Sequence, residues 1–108
     1  MASKRDYPWL DLDVVLEWEP LAEERDVSRV ARSARGFLRQ YEEAGGDPDR
    51  LDPAWRAERN AFVARHLAQM RANGEPWFEP GFSPYAGDPT RRHLALIMWA
   101  YSPSPRHL

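Results

Sequence analysis

The stretch that most constrains how this chain folds is Leu94-Ala95-Leu96-Ile97-Met98-Trp99-Ala100-Tyr101, eight apolar residues in a row. It follows Gly87-Asp88-Pro89 and the basic triplet Arg91-Arg92-His93, and Ser102-Pro103 closes it. A run with no polar position has no face to give to water, so in a chain of 108 residues most of the rest must cover it. Periodicity alone does not separate a buried helix from a buried strand here. Leu, Ala and Met favour helix and Asp88-Pro89 is a helix-start pair, so the run reads as a helix over about 89–101, with strand as the alternative.

Two more helices are written in the pattern. Val27, Val30, Ala31, Ala34, Phe37, Leu38 and Tyr41 follow i, i+3, i+4, i+7 spacing and fall within about 120° of arc, which predicts a helix over 27–44 stopped by Gly45-Gly46. Asp52-Pro53 supplies an N-cap followed by proline at the first helical position, and Asn73-Gly74 supplies a stop, which predicts a helix over 53–73 with Trp55, Phe62, Val63, Leu67 and Met70 on its apolar face. The acidic segment 1–25 is ambiguous. Leu10, Leu12, Val14, Leu16 and Trp18 alternate as in a strand ended by Pro20, while Leu10, Val14 and Trp18 also share a helix face. It is either a short helix or a strand that pairs with a partner chain. In the loop 75–87, Pro76, Pro80, Pro84, Gly81 and Gly87 bar regular structure, yet Trp77, Phe78, Phe82 and Tyr85 need cover. The expectation is an all-α fold, one helical domain over 1–108: a small bundle of three main helices with an irregular N-terminal segment and an aromatic loop.

Composition narrows the chemistry. Cysteine is absent, which removes disulfides, thiolate nucleophiles and cysteine-ligated metals. No apolar stretch reaches the roughly 18–20 residues of a membrane span, and the N-terminus lacks a signal-peptide hydrophobic segment, so no membrane association and a cytoplasmic location are expected. His66, His93 and His107 lack metal-ligand spacing, no serine sits in a nucleophile-elbow context, and Asp47, Asp49 and Asp52 depart from a calcium loop in glycine and glutamate placement. Neither catalysis nor a metal or cofactor is expected.

The net charge of −2 is too near neutral for binding nucleic acid by bulk electrostatics, but it is unevenly spread, with seven acids against Arg25 alone in residues 11–26. On a continuous 27–44 helix extended back to Arg25, the residues Arg25, Arg29, Arg32, Arg35 and Arg39 form one basic stripe, suited to a phosphate backbone or an acidic partner, a solvated face being the plainer reading. Arg91, Arg92 and His93, in the first turn of their helix, suit an anion site; the plainer reading pairs the arginines with acids and packs His93 at the core edge. Arg59 and His66 lie on the apolar face of the 53–73 helix, where a ligand pocket competes with ordinary packing and an arginine that snorkels to the surface. Trp9, Trp18, Trp77, Phe78, Phe82 and Tyr85 are the candidate partner-interface anchors. These features lead to a non-catalytic interaction module, a subunit or adaptor of a larger protein assembly or a homo-oligomer. The alternative is a nucleic-acid-binding protein, a small regulator of phage or mobile-element type that uses the arginines.

Overall fold

In this computed structural model, residues 6–80 and 87–108 are described. The apolar run is a helix at its start and a tight reversal at its end. Thr90 caps α5 (Arg91–Ile97), its hydroxyl accepting from the His93 N–H at 3.3 Å. Asp88 does not cap. It lies before the helix, its carbonyl accepting from Glu79 N–H at 2.7 Å, and Pro89 forms an isolated bridge with Phe78. The helix ends short of the expected 101 because Ala100 turns left-handed at φ 62°, and Tyr101 N–H reaches back to the Leu96 carbonyl at 3.0 Å. Leu94, Leu96, Ile97, Met98 and Ala100 are fully buried, so the run is the centre of the core.

The acidic N-terminal segment resolves to a helix, α1 (Leu12–Glu24), which buries Val15 and Ala22 and packs on α5. Pro20 sits inside α1, where it removes a single helical hydrogen bond. The expected 27–44 helix is broken. It becomes a single turn, α2 (Arg29–Arg32), and α3 (Phe37–Glu43), separated by an extended Ser33 and a turn through Gly36. Ser33 Oγ donates to the Val30 carbonyl at 2.6 Å, a local bond that competes with helix propagation. The corner turns Val30 and Ala34 to solvent, although the periodicity placed them on the apolar face; Val27, Ala31, Phe37, Leu38 and Tyr41 stay buried. Asp26 and Ser28, flanking buried Val27, both hold positive φ (56° and 55°), a strain of about 1–3 kcal/mol each.

Gly36 is what lets the corner close. A Cβ at this position would stand 2.1 Å from the Val30 carbonyl oxygen and 2.5 Å from that of Ala31, both main-chain atoms that cannot swing aside. Gly36→Ala should therefore open the corner and lower stability by about 3 kcal/mol in denaturant titration; a loss below 1 kcal/mol would show that α2 moves freely.

The remaining long helix, α4 (Pro53–Asn73), has the expected bounds. Asp52 accepts from the Ala54 N–H at 2.9 Å, Pro53 occupies the first turn, and Gly74 at φ 63° ends it. Short 3-10 turns, Pro48–Arg50 and Pro105–His107, complete a mostly helical fold in which no strand occurs among the described residues. A column of rings joins the elements: Phe37 of α3 and Phe62 of α4 lie on either side of Trp99, at 4.9 and 4.7 Å with rings nearly parallel. No helix among the described residues is long and apolar enough to cross a membrane.

Candidate functional site

With the 27–44 helix broken, its arginines do not form one stripe. Arg25 pairs with Asp88 at 2.9 Å, Arg29 with Asp26 at 3.1 Å, and Arg39 with Glu19 and, at 3.2 Å, with Glu42. Arg32 donates from Nε to the Val27 carbonyl at 2.8 Å, bracing the corner. Arg35 stands exposed in the turn before α3.

Arg59 does not snorkel. It is fully buried, and no ion pair to it occurs among the described residues. Its guanidinium donates instead to four main-chain carbonyls, those of Trp99 (3.0 Å), Ala100 (2.7 Å), Tyr7 (2.7 Å) and Pro8, and to Asn60 Oδ1 (2.8 Å). Trp9 covers its face at 3.9 Å. Burial brings the Arg59 pKa down to about 10, so it stays charged at neutral pH. The residue clips the N-terminal strap and the reversal after α5 onto α4, aided by Leu10 N–H donating to the Ala100 carbonyl and Asp6 pairing with Arg56.

His93 faces inward and is fully buried. Nδ1 lies 2.8 Å from the Trp77 carbonyl, which can only accept, so Nδ1 carries the proton and Nε2 accepts from the Ser102 hydroxyl at 2.9 Å. Carbonyl, imidazole and hydroxyl follow the order of an orienter, base and nucleophile. Both side chains are shut off from solvent, however, and Ser102 Oγ also accepts from the Ser104 N–H at 3.1 Å. The trio fastens the aromatic loop and the C-terminal segment to α5.

Burial takes the His93 pKa down to about 4. The unfolded chain binds this proton near pH 6.5, the folded protein only near 4, so the unfolded state holds more protons between those values. The stabilisation from a neutral His93 is complete above about pH 6.5 and is lost as pH falls toward 4, amounting to about 3 kcal/mol. Urea titrations at pH 7 and pH 4 should show this decline in the wild type and a shallower one in His93→Gln. Equal slopes would assign the acid sensitivity elsewhere.

Arg91 and Arg92 do come together with His66 at an open cavity of about 440 Å³, also lined by Val27, Ser28, Glu75 and Ala95. Arg92 forms a two-pronged pair with Glu75, both contacts at 2.9 Å, and its Nη1 donates to Gln69 at 2.6 Å and to His66 Nδ1 at 2.9 Å. The bonds from Arg92, then Asn73, hold the Glu75 carboxyl down at about 2. Burial, then the neighbouring Arg92, lowers His66, whose ring stacks on Phe62 at 4.0 Å. His66 is thus neutral with its proton on Nε2. Glu75 and Ser28 escaped sequence reasoning because they come from separate loops; the local acid after Asn73-Gly74 was the sole sign of the first.

The described aromatics mostly face inward. Trp9 packs on Arg59 and Tyr41, half-buried Trp18 lies against the core with its Nε1 enclosed, Trp77 meets the His93 ring edge-on at 4.9 Å, and Phe78 is buried beside the same ring at 5.0 Å. Phe82 and Tyr85, the other two expected anchors, lie outside the described residues. No group of three or more His, Asp or Glu side chains placed to hold a metal ion occurs among the described residues. Compared with protein-family models, curated proteins and solved structures, the chain matches none of them.

Proposed function

We propose that the protein is a non-catalytic interaction module, a small subunit or adaptor of a larger protein assembly, and that it meets its partner with the α2 corner. The observation that carries this reading is Val30, the one large apolar side chain standing exposed among the described residues, at 79%. It is displayed from a braced corner: Ala31 is buried behind it, Gly36 sits against its carbonyl, and Arg32 ties the turn to Val27. A rigid knob loses little conformational entropy on binding. Arg29, its side chain 78% exposed, and exposed Arg35 flank Val30, which suits a protein surface with an apolar socket and an acidic rim.

Nucleic-acid binding has less support, because the break between α2 and α3 leaves no continuous arginine stripe and Arg25 and Arg39 already face carboxylates. Val30→Asp separates the two readings. With Val30 in solvent, the substitution should leave stability within about 1 kcal/mol while recovery of the partner by the immobilised protein falls at least tenfold. Salt-sensitive retention on heparin that Val30→Asp leaves unchanged, with no loss of a protein partner, would overturn the proposal.

A further inference from the structure

Beside the corner, and independent of it, the cavity between α4, α5 and residues 27–28 holds a positive charge that no carboxylate of the described chain neutralises. Arg91 donates to the carbonyls of Arg25 and, at 3.0 Å, of Asp26, and no ion pair to it occurs among the described residues. Three acids of the surrounding segments are engaged: Asp88 by Arg25, Asp26 by Arg29, Glu75 by Arg92. With His66 neutral, Arg91, Arg92 and Glu75 leave the cavity one net positive charge.

Two hydrogen-bond donors at the same cavity have no acceptor among the described residues. Ser28 occupies the N-cap position of α2, but its side chain caps nothing, and it is held at φ 55°, a conformation that L residues seldom adopt. A serine kept in left-handed backbone without capping its helix is not explained by the local fold. His66 uses Nδ1 to accept from Arg92, which leaves its Nε2–H without an acceptor among the described residues. Val27 and Ala95 add an apolar wall. At about 440 Å³ the cavity falls within the range of small-molecule sites and exceeds the needs of a bare inorganic anion.

We infer that this cavity binds a small organic acid, with the carboxylate on Arg91, Ser28 and the His66 Nε2–H, and a short hydrocarbon body against Val27 and Ala95. One carboxylate matches the single net charge, whereas a phosphate dianion would leave an excess negative charge beside Glu75.

NMR titration of the full chain, following the His66 imidazole signals, tests this with butyrate, its neutral isostere butyramide, and inorganic phosphate as probes. Butyrate should give saturable shifts with a Kd on the order of 1 mM, and butyramide should give none at the same concentrations. Arg91→Gln should weaken butyrate at least tenfold. Because Arg91 also holds the 25–26 carbonyls, Ala95→Leu serves as a second variant: it crowds the apolar wall of the cavity, leaves the Arg91 bonds in place and should weaken butyrate at least tenfold in a protein whose amide spectrum stays folded. Val30→Asp should leave butyrate binding intact, so this site and the α2 corner succeed or fail separately. The inference is overturned by no saturable response to butyrate, by an equal response to butyramide, by saturation with phosphate alone, or by unchanged affinity in folded Ala95→Leu.

Discussion

Arg59→Met should lower the stability of this protein by about 4–5 kcal/mol in denaturant titration, a large share of the roughly 5–15 kcal/mol that a domain commonly has. Replacing a buried ion pair by apolar side chains is often neutral, because both charges leave together. That escape is closed here. The acceptors are main-chain carbonyls of Tyr7, Pro8, Trp99 and Ala100, and no side-chain substitution takes them away. Methionine fills much of the volume but donates nothing, so the Trp99 carbonyl loses its buried donor, the Ala100 carbonyl keeps only the Leu10 N–H, and the strap at 7–8 loses its clip. Arg59→Lys keeps the charge without the planar fork and should recover only part of the loss. Limited proteolysis of Arg59→Met should cut first at the strap, near residues 6–10. If the methionine variant melts within a few degrees of wild type, Arg59 is not the clip described above.

Trp99→Ala should cost about 3–5 kcal/mol. The indole lies nearly parallel between Phe37 and Phe62, with interplanar angles of 16° and 17°, and Trp55 approaches at 6.3 Å. Its removal leaves a cavity between α3 and α4, and α3 cannot slide toward α4 without moving the corner at Gly36. Trp99→Phe keeps the stacking and should cost less than half as much. Thermal unfolding of both variants checks the ordering. Equal losses would mean that a ring between Phe37 and Phe62 recovers nothing and that the column does not hold α3 and α4 together.

These two residues also show what sequence could and could not convey. Trp99 was legible because an uninterrupted apolar run has only one place to go. The ends of α4 were legible for a similar reason: Asp52-Pro53 and Asn73-Gly74 act within a few residues of themselves, and the structure uses both as cap and stop. The break at 33–36 was hidden, since Val27, Ala31, Phe37, Leu38 and Tyr41 keep helical spacing across it, although Gly36 inside the pattern was a warning sign. The early end of α5 depends on left-handed Ala100, a conformation that no residue type at that position announces. The N-terminal segment satisfied both periods, and packing of α1 on α5 decides for helix.

At the candidate site, Arg91, Arg92 and His66 stood out as charge beside or within apolar segments. Their partners did not, because Glu75, Ser28 and the carbonyls of residues 25–26 reach the cavity through tertiary folding. Arg59 carried a signal, a cation on an apolar stripe, that permitted two outcomes. The carbonyls that settle it are main-chain atoms, which a reading of side-chain types does not see. Likewise Val30 was counted with the core by its spacing, and it is the corner that turns it outward.

The role of that corner is tested most directly by placing a photoreactive benzoylphenylalanine at position 30 in the native host, with the same group at exposed Ala64 on α4 as the control. Irradiation should yield, from position 30 and not from position 64, one adduct of defined mass that contains a single partner protein and is lost when Arg29 and Arg35 are changed to Glu. Adducts of equal yield at both positions, nucleic acid in the adduct, or no adduct at position 30 would contradict the assignment of α2 as a protein-docking surface.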